Sequence, residues 1–176
     1  MTEQELSNAM KTYGDTVYRL ALCRLQNAAD AEDVYQDVFL RLLREKQRAW
    51  DGEQLKAWLL RVAVNRCTDI RRFRLRRPVL ALDDVPELAG PVDSESAELW
   101  EAVSRLPEKQ RTVIHLYYAE GYQAEEIAAM LGIPAATVRT RLRRGRIALK
   151  NSLGGNGNGE QVSEFDGEYS GARQTY

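Results

Sequence analysis

The sequence is poor in the residues on which most enzyme chemistry is built. Its 176 residues hold one histidine and two cysteines. The histidine, His115, lies in the apolar stretch VIHLYY, where a core position is the ordinary reading. No Gly-rich phosphate loop, nucleophile motif or metal-ligand spacing accompanies it, so an enzyme is not expected, and no catalytic residue, metal, cofactor or small-molecule substrate is assigned. Cys23 and Cys67 stand far apart inside apolar periodic segments, which excludes a disulfide framework and leaves buried thiols. No apolar run approaches the roughly 20 residues that cross a bilayer. The polar start Met1–Asn8 also lacks the basic and apolar parts of a secretory signal, so the expected location is cytoplasmic.

A net charge of −1 leaves little excess of either sign, yet it averages over opposite local runs. Residues 61–77 carry seven arginines against one acid, Asp69, and residues 139–150 carry five arginines and a lysine against none. The acids collect between these runs and at the C-terminus.

Alternation with a period of two is nearly missing, whereas apolar spacings of three and four recur, so the chain is expected to be all-α. Tyr13, Val17, Leu20, Ala21 and Leu25 mark one amphipathic helix. Val34, Val38, Phe39, Leu42 and Leu43 mark a second, and Leu55, Trp58, Leu59, Val62 and Ile70 a third that turns basic toward its end. Helices sharing an apolar face make a first domain, residues 1–77. In residues 78–95 the periodicity fails, Pro78, Pro86 and Pro91 interrupt any helix, and five acids gather, which is the composition of a flexible acidic linker. Helical spacing resumes over residues 96–153, a second small domain. Residues 154–176, GGNGNGEQVSEFDGEYSGARQTY, have the composition of a disordered tail.

The sharpest local signal is a helix-turn-helix over residues 123–146. Ile127 and Leu131 face inward from its first helix, and small Ala128 lets a second helix cross closely. Gly132 suits the left-handed end of one helix and Pro134 the start of the next. With Val138 and Leu142 inward, steps of about 100 degrees per residue put Thr140, Arg143 and Arg144 outward, flanked by Arg139 and Arg141. Five arginines exceed what helix-dipole complementarity requires. Guanidinium forks fit both phosphates and the guanine edge, and a helix of this width fits the major groove. Thr137, near free N–H groups at the helix start, is placed to hold a phosphate.

Three motifs occur in order: DAEDVYQDVFLRLL, LKAWLLRVAVNRCTDIRR and RLPEKQRTVIHLYYAEGYQAEEIAAMLGIPAATVRTRLRRGR. On them the chain resembles the extracytoplasmic-function (ECF) group of bacterial RNA polymerase sigma factors. The resemblance implies two helical domains, region 2 and region 4, with core RNA polymerase and promoter DNA as partners and an anti-sigma protein as regulator. It implies polymerase binding by Gln36, Asp37, Phe39 and Leu40, although Phe39 has an equal claim to the core. It implies reading and opening of the minus-ten element by Asn65, Arg66, Asp69, Arg71 and Arg72. Arg139, Thr140, Arg141 and Arg144, with Thr137 and Arg143 beside them, would serve the minus-thirty-five element. The linker would pass through the polymerase channel, or simply tether the domains. Ala135-Ala136 departs from the Gly-containing pair common in the family, and the Gly-rich tail is extra. A stand-alone helix-turn-helix regulator is the rival reading, because its DNA-binding half would look the same.

Overall fold

A computed structural model describes residues 2–45, 50–76 and 94–154. The linker residues 78–93 and the tail residues 155–176 lie outside the described residues, as does Arg77. Seven α-helices, without strands, make up the described residues: α1 (Glu3–Leu25), α2 (Ala28–Arg44), α3 (Gly52–Arg76), α4 (Ser94–Ser104), α5 (Glu108–Ile114), α6 (Ala124–Leu131) and α7 (Ala135–Leu153). A π-helical turn, His115–Ala119, extends α5.

The helix ends follow from short polar side chains. α1 starts well before the apolar stripe that announced it, because Thr2 and Glu5 form a reciprocal capping box. The Thr2 N–H donates to Glu5 Oε2 at 2.7 Å and the Glu5 N–H to Thr2 Oγ1 at 3.2 Å. Asn27 caps α2 by accepting from the Asp30 N–H at 2.9 Å, and Asp51 accepts from the Gln54 N–H at the start of α3 at 2.8 Å.

α1, α2 and α3 pack mutually, with Val17, Leu20, Val34, Val38, Leu42, Leu59 and Leu60 fully buried at their centre. Each such side chain contributes about 1.5–3 kcal/mol by leaving water, which stabilises a bundle whose outer faces are charged. The second bundle closes over Val113, Leu116, Ile127, Val138 and Leu142. α7 approaches α5 closely at Gly145, where an added Cβ would stand 2.9 Å from Ile114 Cγ1.

The two bundles dock on one another, α1 against α5 and α3 against α6. Buried Arg111 of α5 supplies the centre of this contact. Its guanidinium donates to the carbonyls of Cys23 and Arg24 in the last turn of α1 and to those of Ser104 and Leu106 at the end of α4. Those carbonyls have no partner within their own helices and carry the negative end of the helix dipole, so one planar cation satisfies two helix termini.

Candidate nucleic-acid interface

In the helix-turn-helix the turn is built as the sequence suggests. Glu126 accepts from the Gln123 N–H at 2.8 Å, opening α6, and Gly132 ends it with φ +64°. A Cβ would be strained at that angle, and the Ile133 N–H then returns to the Ala128 carbonyl at 3.1 Å. Pro134 starts α7, where Val138 and Leu142 are buried and Arg139, Thr140, Arg143 and Arg144 are exposed. Arg141 is half-buried on the flank. Arg139 pairs with Glu125 across the surface, an exposed contact of little energetic weight. Thr140 Oγ1 donates to the Ala136 carbonyl at 3.0 Å, leaving the hydroxyl as an acceptor outward. The Thr137 N–H is already taken by the Pro134 carbonyl at 2.9 Å, so any anion held there meets other groups.

On α3 the five nominated residues, Asn65, Arg66, Asp69, Arg71 and Arg72, are all exposed. Asn65, Asp69 and Arg72 recur at i, i+4 and i+7 and share one face. Arg66 is turned to α2, its Nε 2.5 Å from Asp37 Oδ2, while Arg71 is drawn across to Glu108 of α5. Asn65, Asp69, Arg71 and Arg72 line the same cleft, of about 500 Å³, as Arg141 of α7. Arg141 of α7 and the α3 arginines, far apart in the chain, therefore line one cleft. Trp58, whose spacing suggested core, is partly buried and stacks on Trp50 with ring centroids 5.0 Å apart.

The residues to which the resemblance gives polymerase binding divide. Phe39 is 3% exposed and packs on Tyr35 at 4.9 Å, which removes it from any surface contact and assigns it to the core. Gln36 and Leu40 stand outward, with Leu40 49% exposed, and Asp37 is half-buried beside Arg66. Leu43, read from its spacing as inward, is 45% exposed and continues the Gln36–Leu40 stripe one turn on. The i, i+4, i+7 spacing of these three was the signal for that outer face.

Sequence reasoning missed the residues that join the bundles. Arg24 donates through Nε and Nη2 to Glu108 Oε1 at 3.0 and 2.7 Å, and Arg71 takes Glu108 Oε2. Burial alone would raise the Glu108 carboxyl, but Arg24 and Arg71 overcome it and hold the group below the usual carboxylate range. Farther along the seam, Lys56 Nζ lies 3.0 Å from Glu120 Oε2, and buried His115 has Nε2 3.6 Å from Glu120 Oε1. Arg146 is structural rather than outward, donating to Tyr118 Oη at 2.6 Å. Both cysteines are free, Cys23 half-buried and Cys67 buried, and burial pushes the Cys67 thiol up to about 12, leaving it protonated. Among the described residues no cluster of His, Cys, Asp and Glu suits a metal ion, and no helix is long and apolar enough to cross a membrane.

This geometry defines an all-α protein that presents a helix-turn-helix with an arginine-rich second helix. Comparison with known families places it further: residues 9–77 match Sigma-70 region 2 and residues 96–149 match Sigma-70, region 4. The chain belongs to the ECF group of RNA polymerase sigma factors. It is 36% identical over 154 residues to the ECF RNA polymerase sigma factor SigE of Mycolicibacterium smegmatis, covering 82% of this chain and 60% of that protein. It is 31% identical over 172 residues to SigW of Bacillus subtilis, covering 86% and 90%. The chain thus spans less than two thirds of SigE and nearly all of SigW. The fold is also that of the sigma factor RpoE of Bartonella quintana, solved with its anti-sigma factor NepR, with TM-score 0.70, 24% identity and coverage of 88% of this chain and 99% of that one.

Proposed function

We propose that this protein directs core RNA polymerase to a set of promoters, reading the minus-thirty-five element with α7 and the minus-ten element with α3. The observation that carries this reading is the pairing of two exposed, arginine-rich helix faces on separate bundles of the sigma type. In α7 the outward set is Arg139, Thr140, Arg143 and Arg144, flanked by Arg141, and it suits phosphates and guanine edges in a major groove. In α3 the Asn65–Asp69–Arg72 stripe places an amide, which bonds a base edge bidentately, among cations that hold the backbone. Gln36, Leu40 and Leu43 on the outer face of α2 serve as the polymerase contact, with an apolar centre and a polar rim. No step of this role requires catalysis by the protein itself, and the protein acts where its polymerase does.

The two promoter elements are separated by roughly 25 base pairs, on the order of 85 Å at about 3.4 Å per base pair. Arg71 and Arg141 line one cleft, so engagement of both elements requires the bundles to part. Residues 78–93, which precede α4, could span at most about 55 Å if fully extended, which leaves room for that movement once the widths of the bundles are added. The docked arrangement is the resting form in this reading, and an anti-sigma protein would act by holding it.

Run-off transcription with purified core polymerase tests the assignment. The expected result is promoter-dependent transcript only when the protein is added, with weak DNA binding by the protein alone. Tight binding of an operator by a dimer, without transcript, would favour the stand-alone regulator.

A further inference from the structure

The cleft between the bundles has a composition that neither promoter element explains. Beside the Arg24–Glu108–Arg71 group it carries Arg72, Lys109 and Arg141, and an adjoining hollow adds Arg144. None of these four forms an ion pair with another described residue, and Asp69 is the one acid in the cleft besides the doubly paired Glu108. Its walls also include apolar side chains: Leu75, 81% exposed, and the partly buried Leu131 and Ile133. A surface that combines free cations with exposed aliphatic groups suits an acidic segment containing aromatic residues better than it suits a sugar-phosphate chain alone.

Such a segment is present in the same chain. The region 4 match ends at residue 149 and α7 at Leu153. Beyond six Gly and Asn residues, 154–159, come Glu160, Glu164, Phe165, Asp166, Glu168 and Tyr169, with no cation before Arg173. We propose that the acidic-aromatic segment Glu160–Tyr169 docks in the cleft between α3 and α7, its carboxylates on Arg72, Lys109, Arg141 and Arg144 and its rings against Leu75, Leu131 and Ile133. There it competes with DNA for the helix faces that line the cleft.

The reach fits. Arg141 lies twelve residues before Leu153, about 18 Å back along the helix at 1.5 Å per residue. The six-residue spacer extends to about 20 Å, so Glu160 regains the level of Arg141 and later acids reach beyond it. A tether this short holds the segment at an effective concentration of order millimolar, enough for a weak contact to be populated. Carboxylates bind guanidinium groups without the counterion release that favours a polyphosphate chain, so promoter DNA delivered with polymerase displaces the segment. Docking is independent of the promoter assignment and is read without polymerase.

The experiment compares amide spectra of the ¹⁵N-labelled full chain with those of a chain ending at Leu153 and of the full chain carrying E160Q, E164Q, D166N and E168Q. At low salt the signals of Arg72, Leu75, Lys109, Leu131, Ile133 and Arg141 should differ between the full chain and the truncated one. They should converge at about 0.5 M NaCl, where charges beyond a few ångströms are screened. The neutralised chain should match the truncated chain, and removing the tail should tighten binding of a non-specific duplex about three- to tenfold at low salt. Superimposable spectra at low salt would overturn the proposal, as would differences confined to the α2 face around Leu40 and Leu43. So would groove signals that respond to D83N, D84N and E87Q in the linker but not to neutralisation of the tail.

Discussion

Arg24 and Glu108, 84 residues apart, meet in a two-donor contact at 2.7 and 3.0 Å with side chains only 8% and 11% exposed. The same carboxylate also receives Arg71, one of the α3 arginines proposed to serve the minus-ten element. Glu108 thus joins the bundles and occupies a cation that the proposed function gives to DNA. Under the proposed function a phosphate approaching Arg71 would have to displace that carboxylate, which would couple DNA binding to separation of the bundles.

Glu108→Gln retains shape and removes the charge. The expected cost is about 1–3 kcal/mol, since Arg24 then keeps a buried charge with a neutral partner. The radius of gyration from small-angle scattering should rise and binding of minus-ten single-stranded DNA should strengthen. An unchanged radius at full stability would show that the Arg111 contacts suffice to hold the seam.

Acid should act on the same contacts. The Glu108 carboxyl, raised by burial but lowered further by Arg24 and Arg71, lies below the ordinary value of 4.5, and Glu120 lies below it in the same way through His115 and Lys56. A depressed folded-state value means that the stabilisation is complete above about pH 4.5 and is lost as pH falls through the lower folded value. Scattering curves should therefore be constant from neutral pH to near 5 and expand below 4.5. Expansion beginning near neutrality would assign the seam to other groups.

Asn65 is exposed on α3, and its replacement by Ala should change folding stability by no more than about 0.5 kcal/mol. Under the proposed function, capture of duplex promoter by polymerase should survive through α7, while permanganate-detected strand opening falls. A premelted template should restore only part of the activity, because the base contact itself is gone. Normal opening in the variant would remove Asn65 from the site.

Gly145→Ala tests the close approach of α7 to α5. Alanine favours a helix over glycine by about 1 kcal/mol. Here its Cβ would fall 2.9 Å from a buried Ile114 atom, and overpacking of this kind costs about 1–3 kcal/mol. The net expectation is a lower melting temperature, and a rise would mean that Ile114 yields freely.

Much of this protein was legible in its residues alone. Helical periodicity, the Gly132 turn and the outward set on α7 are local properties, set by backbone sterics and a repeat of 3.6 residues, and the structure places them where the spacing puts them. Spacing placed Phe39 in the buried stripe correctly but misplaced Leu43. Phe39 and Leu43 sit four residues apart on one amphipathic helix, yet one is 3% and the other 45% exposed, because only the packing of α1 and α3 decides where the buried stripe ends. The start of α1 was hidden because Thr2 and Glu5 carry it without any apolar residue.

The relation between the bundles was not available from sequence at all. Arg24, Glu108 and Arg111 are ordinary surface-type residues in a linear reading, and nothing in their spacing says that an 84-residue separation closes to hydrogen-bond distance. The sequence by itself determined an all-α chain with two arginine-rich helices and a helix-turn-helix, since these depend on neighbours within a few residues. Tertiary structure alone decided which arginines stay exposed to solvent and which are held by carbonyls and carboxylates, because that outcome depends on desolvation and geometry between segments the chain order keeps apart.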